Sequence, residues 1–239
     1  MDIVFECFFR VFRSEAFFAL LTALIGALVG GWFTRNATLK AHRLSTTSAQ
    51  IESLTNTGNS LALIKAELKA AWGIYNKEYV PGLMELPDGG PYLTVWPIGK
   101  DSFVIFDTMP QCLSEISTDV SELVVQVYMR IKGIVAMVEQ NNEYAELAYG
   151  IAIRRYDEIL APFVESGREI PGEELRGQQE YLEKYTKLQA IKIGMGEHAD
   201  ALKKITEELI VDVDAVFEGL GSEINKIDEK VARLRSSLE

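Results

Sequence analysis

The stretch FFALLTALIGALVGGWF, residues 17–33, carries no charged side chain. Widened to its polar neighbours it becomes Ala16–Thr34, bounded by Glu15 and Arg35. A helix rises about 1.5 Å per residue, so this segment reaches roughly 28 Å, close to the ~30 Å hydrocarbon core of a bilayer. A helix in a water-soluble fold keeps one polar face, and this one is apolar on every side. Phe17 and Phe18 stand at one end and Trp32 at the other, where interfacial aromatics collect. The stretch therefore predicts a transmembrane helix over 16–34.

The rival reading is a cleavable signal. That needs a net-positive start and a small-x-small site. The first fifteen residues hold Arg10 and Arg13 against Asp2, Glu6 and Glu15. The only suitable small residues, Gly30 and Gly31, run directly into Trp32 and Phe33. Both features disfavour cleavage. Basic residues near the ends set the orientation: Arg10 and Arg13 before the span, Arg35, Lys40 and Arg43 after it, with no acid until Glu52. The excess behind the span places the N-terminus outside and the C-terminal part in the cytoplasm of an inner (plasma) membrane.

Within the span Ala19, Ala23, Ala27 and Gly31 recur every four residues, and Gly26 and Gly30 form a GxxxG. Small residues at that spacing let helix backbones approach in lipid, which points to a homo-oligomer. Ahead of it, residues 1–15 space Phe5, Phe8, Phe9 and Phe12 as an amphipathic helix does. That segment either lies in the interface or lengthens the span.

The chain has 239 residues, 48% of them hydrophobic, and a formal charge of −11. That bounds it to an anchor plus one or two compact domains. The charge reads as ordinary solubility and excludes nucleic acid as a direct partner, because acidic surfaces repel phosphate. Cys7 and Cys112 are the two cysteines and form no CxxC. They give no disulfide framework, which fits a reducing compartment.

Beyond the span, residues 35–58 read as a helical juxtamembrane stalk, weakened by the Ser/Thr-rich STTSAQ. Leu61, Ile64, Leu68, Trp72 and Tyr75 then fall on one stripe of a helix over 59–79, capped by Asn59 or Ser60 and ended by Pro81-Gly82. A loop follows to about residue 99, with a turn at Asp88-Gly89-Gly90-Pro91 and a brief extended run Tyr92–Trp96. Asp101 or Ser102 caps a short helix, and Pro110 begins another. Val120, Leu123, Val124, Val127, Ile131, Ile134, Val135 and Val138 form the apolar face of a long helix starting near Thr118. Asn141-Asn142 is expected to break it, with a further helix over 143–165 closed by Pro162. Residues 59–165 form a helical domain, residues 166–172 are the best internal boundary, and 173–239 are a long helical region. In that region Leu220, Ile224, Ile227, Val231, Leu234 and Leu238 alternate spacings of four and three. This is either a coiled-coil seam, offering a partner surface, or the packing face of one long helix. The fold class is all-α: a transmembrane helix followed by a cytoplasmic helical bundle with a coiled-coil-like C-terminal helix.

No Walker loop, HExxH, GxSxG or dinucleotide fingerprint occurs. The glycines of IGMGEH, 193–198, have no strand before them and no Lys-Ser/Thr after them. Glu208 and Asp212 share a helix face but read as a solvated acidic surface. His42 and His198 are the two histidines, and neither has a nucleophile or ligand partner at useful spacing. No catalytic, cofactor or metal residue is therefore assigned, and an enzyme is not expected. Trp72, Trp96, Phe103, Phe106 and Tyr128 either line a pocket or fill a core. A sensor or ligand-binding domain using the aromatic loop 80–106 is the alternative to an interaction protein.

A single span, then LALIKAEL, then a loop ending in WPIGKDSF, then VVQVYMRI: this order resembles a loose group of bacterial single-pass membrane proteins with no established catalytic residues. The likeness covers residues 16–140. Some of that group sit near phage-defence or other mobile genes. The resemblance implies a bacterial inner-membrane protein with the bilayer as one partner, and nothing about substrate.

Overall fold

A computed structural model describes residues 15–97, 103–166 and 172–238. The expected amphipathic segment before Glu15 and the caps Asp101 and Ser102 lie outside the described residues. Among those described, every regular element is helical. In order they are α1 (Glu15–Ile74), a π-helical turn (Tyr75–Tyr79), α2 (Val80–Met84), α3 (Val104–Thr108), a 3-10 turn (Pro110–Glu115), α4 (Thr118–Glu165), α5 (Gly172–Lys192) and α6 (Met195–Ser236). The chain forms two compact units, Met1–Asn56 with Glu229–Glu239, and Thr57–Asp228.

No helix starts at Asn59 or Ser60, because α1 passes through them without a break. Thr22, Thr34, Thr38, Thr46 and Thr55 each donate a hydroxyl to the carbonyl four residues earlier, at 2.6, 2.8, 2.8, 2.9 and 2.8 Å. Bonds of this kind are compatible with a continuous helix, although they weaken it slightly. In the first unit an 18-residue apolar window of mean hydropathy 1.5 lies near the N-terminus, and none of it is buried. One helix is thus long and apolar enough to span a membrane.

In the second unit the sequence stripe is the buried one: Leu61, Ile64 and Leu68 are wholly enclosed, and Trp72 and Tyr75 nearly so. Facing residues are Val124, Val127, Tyr128, Ile134 and Val138 of α4, and Leu202, Leu209, Val213, Val216 and Leu220 of α6, all buried. Each such aliphatic side chain taken from water contributes about 1.5–3 kcal/mol.

Two expectations need correction. Asn141-Asn142 does not break α4, which runs on to Glu165 with Pro162 in its last turn. The buried face continues through Asn141, Ala145, Ala148 and Ala152, so packing outweighs the poor helix propensity of asparagine. Nor does the segment 166–172 divide the chain, since helices on both sides of it belong to the unit 57–228. The C-terminal region is built of two helices, parted at Gly194, whose φ of +89° suits glycine.

Candidate functional site

The second unit contains a cavity of about 240 Å³. Its aromatic wall is Trp72 and Tyr75 from the end of α1, with Trp96 and Phe103 from the loop side. Ile131, Ile134 and Val135 of α4 close it opposite. Among the described lining residues Glu67 is the one carboxylate. Three of the five aromatics singled out in the sequence therefore line it. The other two go elsewhere: Tyr128 is fully buried, and its ring stacks on Phe106 at 3.7 Å between centroids and 13°.

The wall is built by distortion of α1. The π-helical turn Tyr75–Tyr79 adds a residue to the helical circuit and ends α1 at Ile74, seven residues before Pro81. Such turns recur at functional sites. It sets Tyr75 and Tyr79 in a stack at 5.5 Å, with Trp72 5.6 Å from Tyr75. Trp96 then lies 6.2 Å from Tyr75 and 5.4 Å from Tyr79, and Tyr92 4.6 Å from Tyr79. Pro81 falls in the first turn of α2, where its missing N–H costs nothing.

The run Tyr92–Trp96 makes no strand. It is irregular backbone held to α4 by the two asparagines. Asn142 accepts from the Trp96 N–H at 3.0 Å and donates to the Trp96 carbonyl at 2.7 Å. Asn141 donates to the Tyr92 carbonyl at 3.0 Å. The two side chains stand in for a neighbouring strand.

Glu67 performs a comparable task. Its Oε1 accepts from the Ile105 N–H at 2.8 Å, and its Oε2 from the Phe106 N–H at 3.0 Å and the Tyr128 hydroxyl at 3.2 Å. A carboxylate is placed at the N-terminus of α3, where free N–H groups and the helix dipole favour it. Phe103, at φ +72°, turns the chain into that helix. Lys132 pairs with Asp107 on the outside at 2.5 Å.

Burial sets the ionisation of the surrounding phenols. It pushes Tyr75 up to about 12, against the opposing pull of its 2.6 Å hydrogen bond with Thr206. Tyr79 and Tyr128 are raised further by the same cause. The Tyr79 hydroxyl has no hydrogen-bond partner. Burial also raises the Cys112 thiol, which is free and donates to the Met109 carbonyl at 3.0 Å.

The glycines of IGMGEH serve the fold. A Cβ on Gly196 would lie 2.1 Å from the Gly89 carbonyl oxygen. The turn at 88–90 is seated there, with the Gly89 N–H donating to Asp200 Oδ2 at 2.8 Å and Lys203 donating to the Leu86 carbonyl at 2.7 Å. His198 bonds the Met137 carbonyl at 2.8 Å. Asp212, expected on a solvated face with Glu208, pairs with Arg130 at 2.7 Å. Among the described residues no group of His, Cys, Asp and Glu is arranged to hold a metal.

The proposed packing residues have two different surroundings. Ala19, Ala23, Gly26, Ala27, Gly30 and Gly31 are all exposed, and a Cβ at any of the three glycines would meet nothing within 4 Å. In the C-terminal series Leu220, Ile227 and Val231 are buried within the chain, Ile224 and Leu234 are half-buried and Leu238 is exposed. Glu67, Asn141 and Asn142 carry the site without a sequence signal for it. Their partners stand 38 to 61 residues away, and no local pattern encodes them.

Among the described residues, fold and cavity together define an all-helical protein with one apolar helix segment and an aromatic-walled pocket. No family model, curated protein or solved structure matches the chain.

Proposed function

We propose that this is a single-pass inner-membrane protein that self-associates and acts as a helical interaction protein or effector, with its C-terminal part in the cytoplasm. The observation that carries this reading is the wholly exposed apolar window of α1, with Leu20 70% and Leu28 66% exposed. Water does not tolerate so continuous an apolar surface, and lipid does. The unopposed glycines at 26, 30 and 31 support association of this segment with a second copy. Beyond the span, the helix packing supports a helical bundle, and the C-terminal seam is the further surface for a protein partner. A role in a bacterial defence or stress system rests on the resemblance over residues 16–140.

The experiment is crosslinking in native membranes of the wild type and of Gly26→Leu/Gly30→Leu. Higher-order bands lost in the variant support the reading. Identical monomeric profiles remove self-association. Alkaline phosphatase activity in a C-terminal fusion would reverse the orientation.

A second reading is favoured by the cavity: the unit 57–228 senses a small molecule through the aromatic loop. Its support is the 240 Å³ space walled by Trp72, Tyr75, Trp96 and Phe103. A thermal-shift screen of the detergent-solubilised chain tests it, and no stabilisation by any metabolite pool counts against it.

A further inference from the structure

The cavity has a chemical signature beyond its shape. Among the described residues that line it, Glu67 is the one carboxylate, and no described Lys, Arg or His stands with it. Both Glu67 oxygens serve as acceptors, from two backbone N–H groups and one hydroxyl. The charge is thus stabilised by dipoles, and among the described residues no cation pairs with it in a salt bridge. Tyr75 directs its hydroxyl to Thr206. The remaining polar capacity of the cavity is its π faces: Trp72, Tyr75, Trp96 and Phe103. Aromatic faces carry negative potential and attract cations, tryptophan most strongly. The volume, about 240 Å³, falls below the roughly 300–1,000 Å³ usual for drug-sized ligands. An inorganic cation would forfeit its hydration shell against apolar walls with one occupied carboxylate. A small organic cation would not, because its methyl groups need no hydrogen bonds.

We propose that this cavity binds a small alkylated ammonium ion, its charge held between the Trp72, Tyr75 and Trp96 faces and the Glu67 carboxylate. The inference rests on the ligand-binding reading above and names the class of ligand. It predicts discrimination by charge at constant shape.

The test is calorimetric titration of the full chain in a maltoside detergent with three probes: choline, its neutral carbon isostere 3,3-dimethyl-1-butanol, and indole. The expected result is choline binding about tenfold tighter than the isostere, the size of one good cation–π interaction. Glu67→Gln should reduce that preference, read as the ratio of the choline and isostere affinities. Glu67 also holds α3, so Trp96→Leu is the second variant, expected to weaken choline about tenfold with helix content intact by circular dichroism. If the isostere or indole binds and choline binds no better, the cation inference is overturned and the ligand-binding reading stands. If none of the three binds, both fall.

Discussion

Gly196 has no room for a side chain. Its Cβ would sit 2.1 Å from the Gly89 oxygen and 2.7 Å from the Gly89 carbonyl carbon, both backbone atoms that cannot swing aside. Gly196→Ala must therefore push the turn at 88–90 off α6. A cost of about 1–3 kcal/mol is expected, as for other overpacked sites, read as a lower unfolding midpoint. An unchanged midpoint would mean the turn is not seated there. The tyrosines give a second prediction at this scale. The Tyr75 phenol titrates near 12 when folded against an ordinary value of 10, because burial disfavours its anion. A folded value above the unfolded one means that stability is complete below about pH 10 and drains away as the pH climbs towards 12. Tyr79 and Tyr128 add to the same trend. Absorbance at 295 nm should show these three phenols ionising only as the chain unfolds. Their titration with the exposed tyrosines, in a chain still helical, would contradict the burial described.

Between residue and element stand the two asparagines of α4. Asn142 makes both of its hydrogen bonds to the Trp96 backbone, at 3.0 and 2.7 Å. Asn142→Ala should cost about 1–3 kcal/mol through the backbone groups it orphans. It should also make Trp96 more accessible to iodide quenching. Stability and quenching both unchanged would show that the loop is held by its rings alone. The same residues mark what was legible in the sequence. The stripe from Leu61 to Tyr75 was readable because an apolar face repeats with the helix period. So was the face from Val124 to Val138. Asn141-Asn142 reads as a break because propensity is a local quantity, whereas the burial of Ala145 and Ala148 that carries α4 onward is tertiary. Trp72, Trp96 and Phe103 were recognisable as pocket candidates by type, but Glu67 was not: its partners lie 38, 39 and 61 residues downstream. The C-terminal series is ambiguous in sequence for a physical reason, since spacings of four and three suit a second chain or the same chain equally. Leu220 is wholly buried within its own chain and Leu238 is 38% exposed. Leu220→Ala should therefore cost about 2–5 kcal/mol, independently of protein concentration. Leu238→Ala should cost little. A midpoint that rises with protein concentration would instead assign the series to a partner copy.

At the scale of the whole molecule the decisive quantity is where the apolar segment of α1 resides. Ile25 and Leu28 are 53% and 66% exposed and lie near the middle of 16–34. Lysine at these two positions separates the alternatives by sign. If the segment stands in water, each substitution replaces an exposed apolar side chain with a soluble one, and both should be neutral or improve solubility. If the segment spans a bilayer, each lysine costs about 2.5–3.5 kcal/mol at the helix centre. Two of them would cancel much of the gain from the surrounding leucines and phenylalanines. Ile25→Lys/Leu28→Lys should therefore move the protein from carbonate-washed membranes to the supernatant. Its cooperative unfolding should persist, because the core of the unit 57–228 contains neither position. A wild-type chain found in the supernatant would place α1 in water, and the anchor would be lost with it. A double variant that stayed in the pellet as the wild type does would show that something other than this segment holds the chain to the membrane.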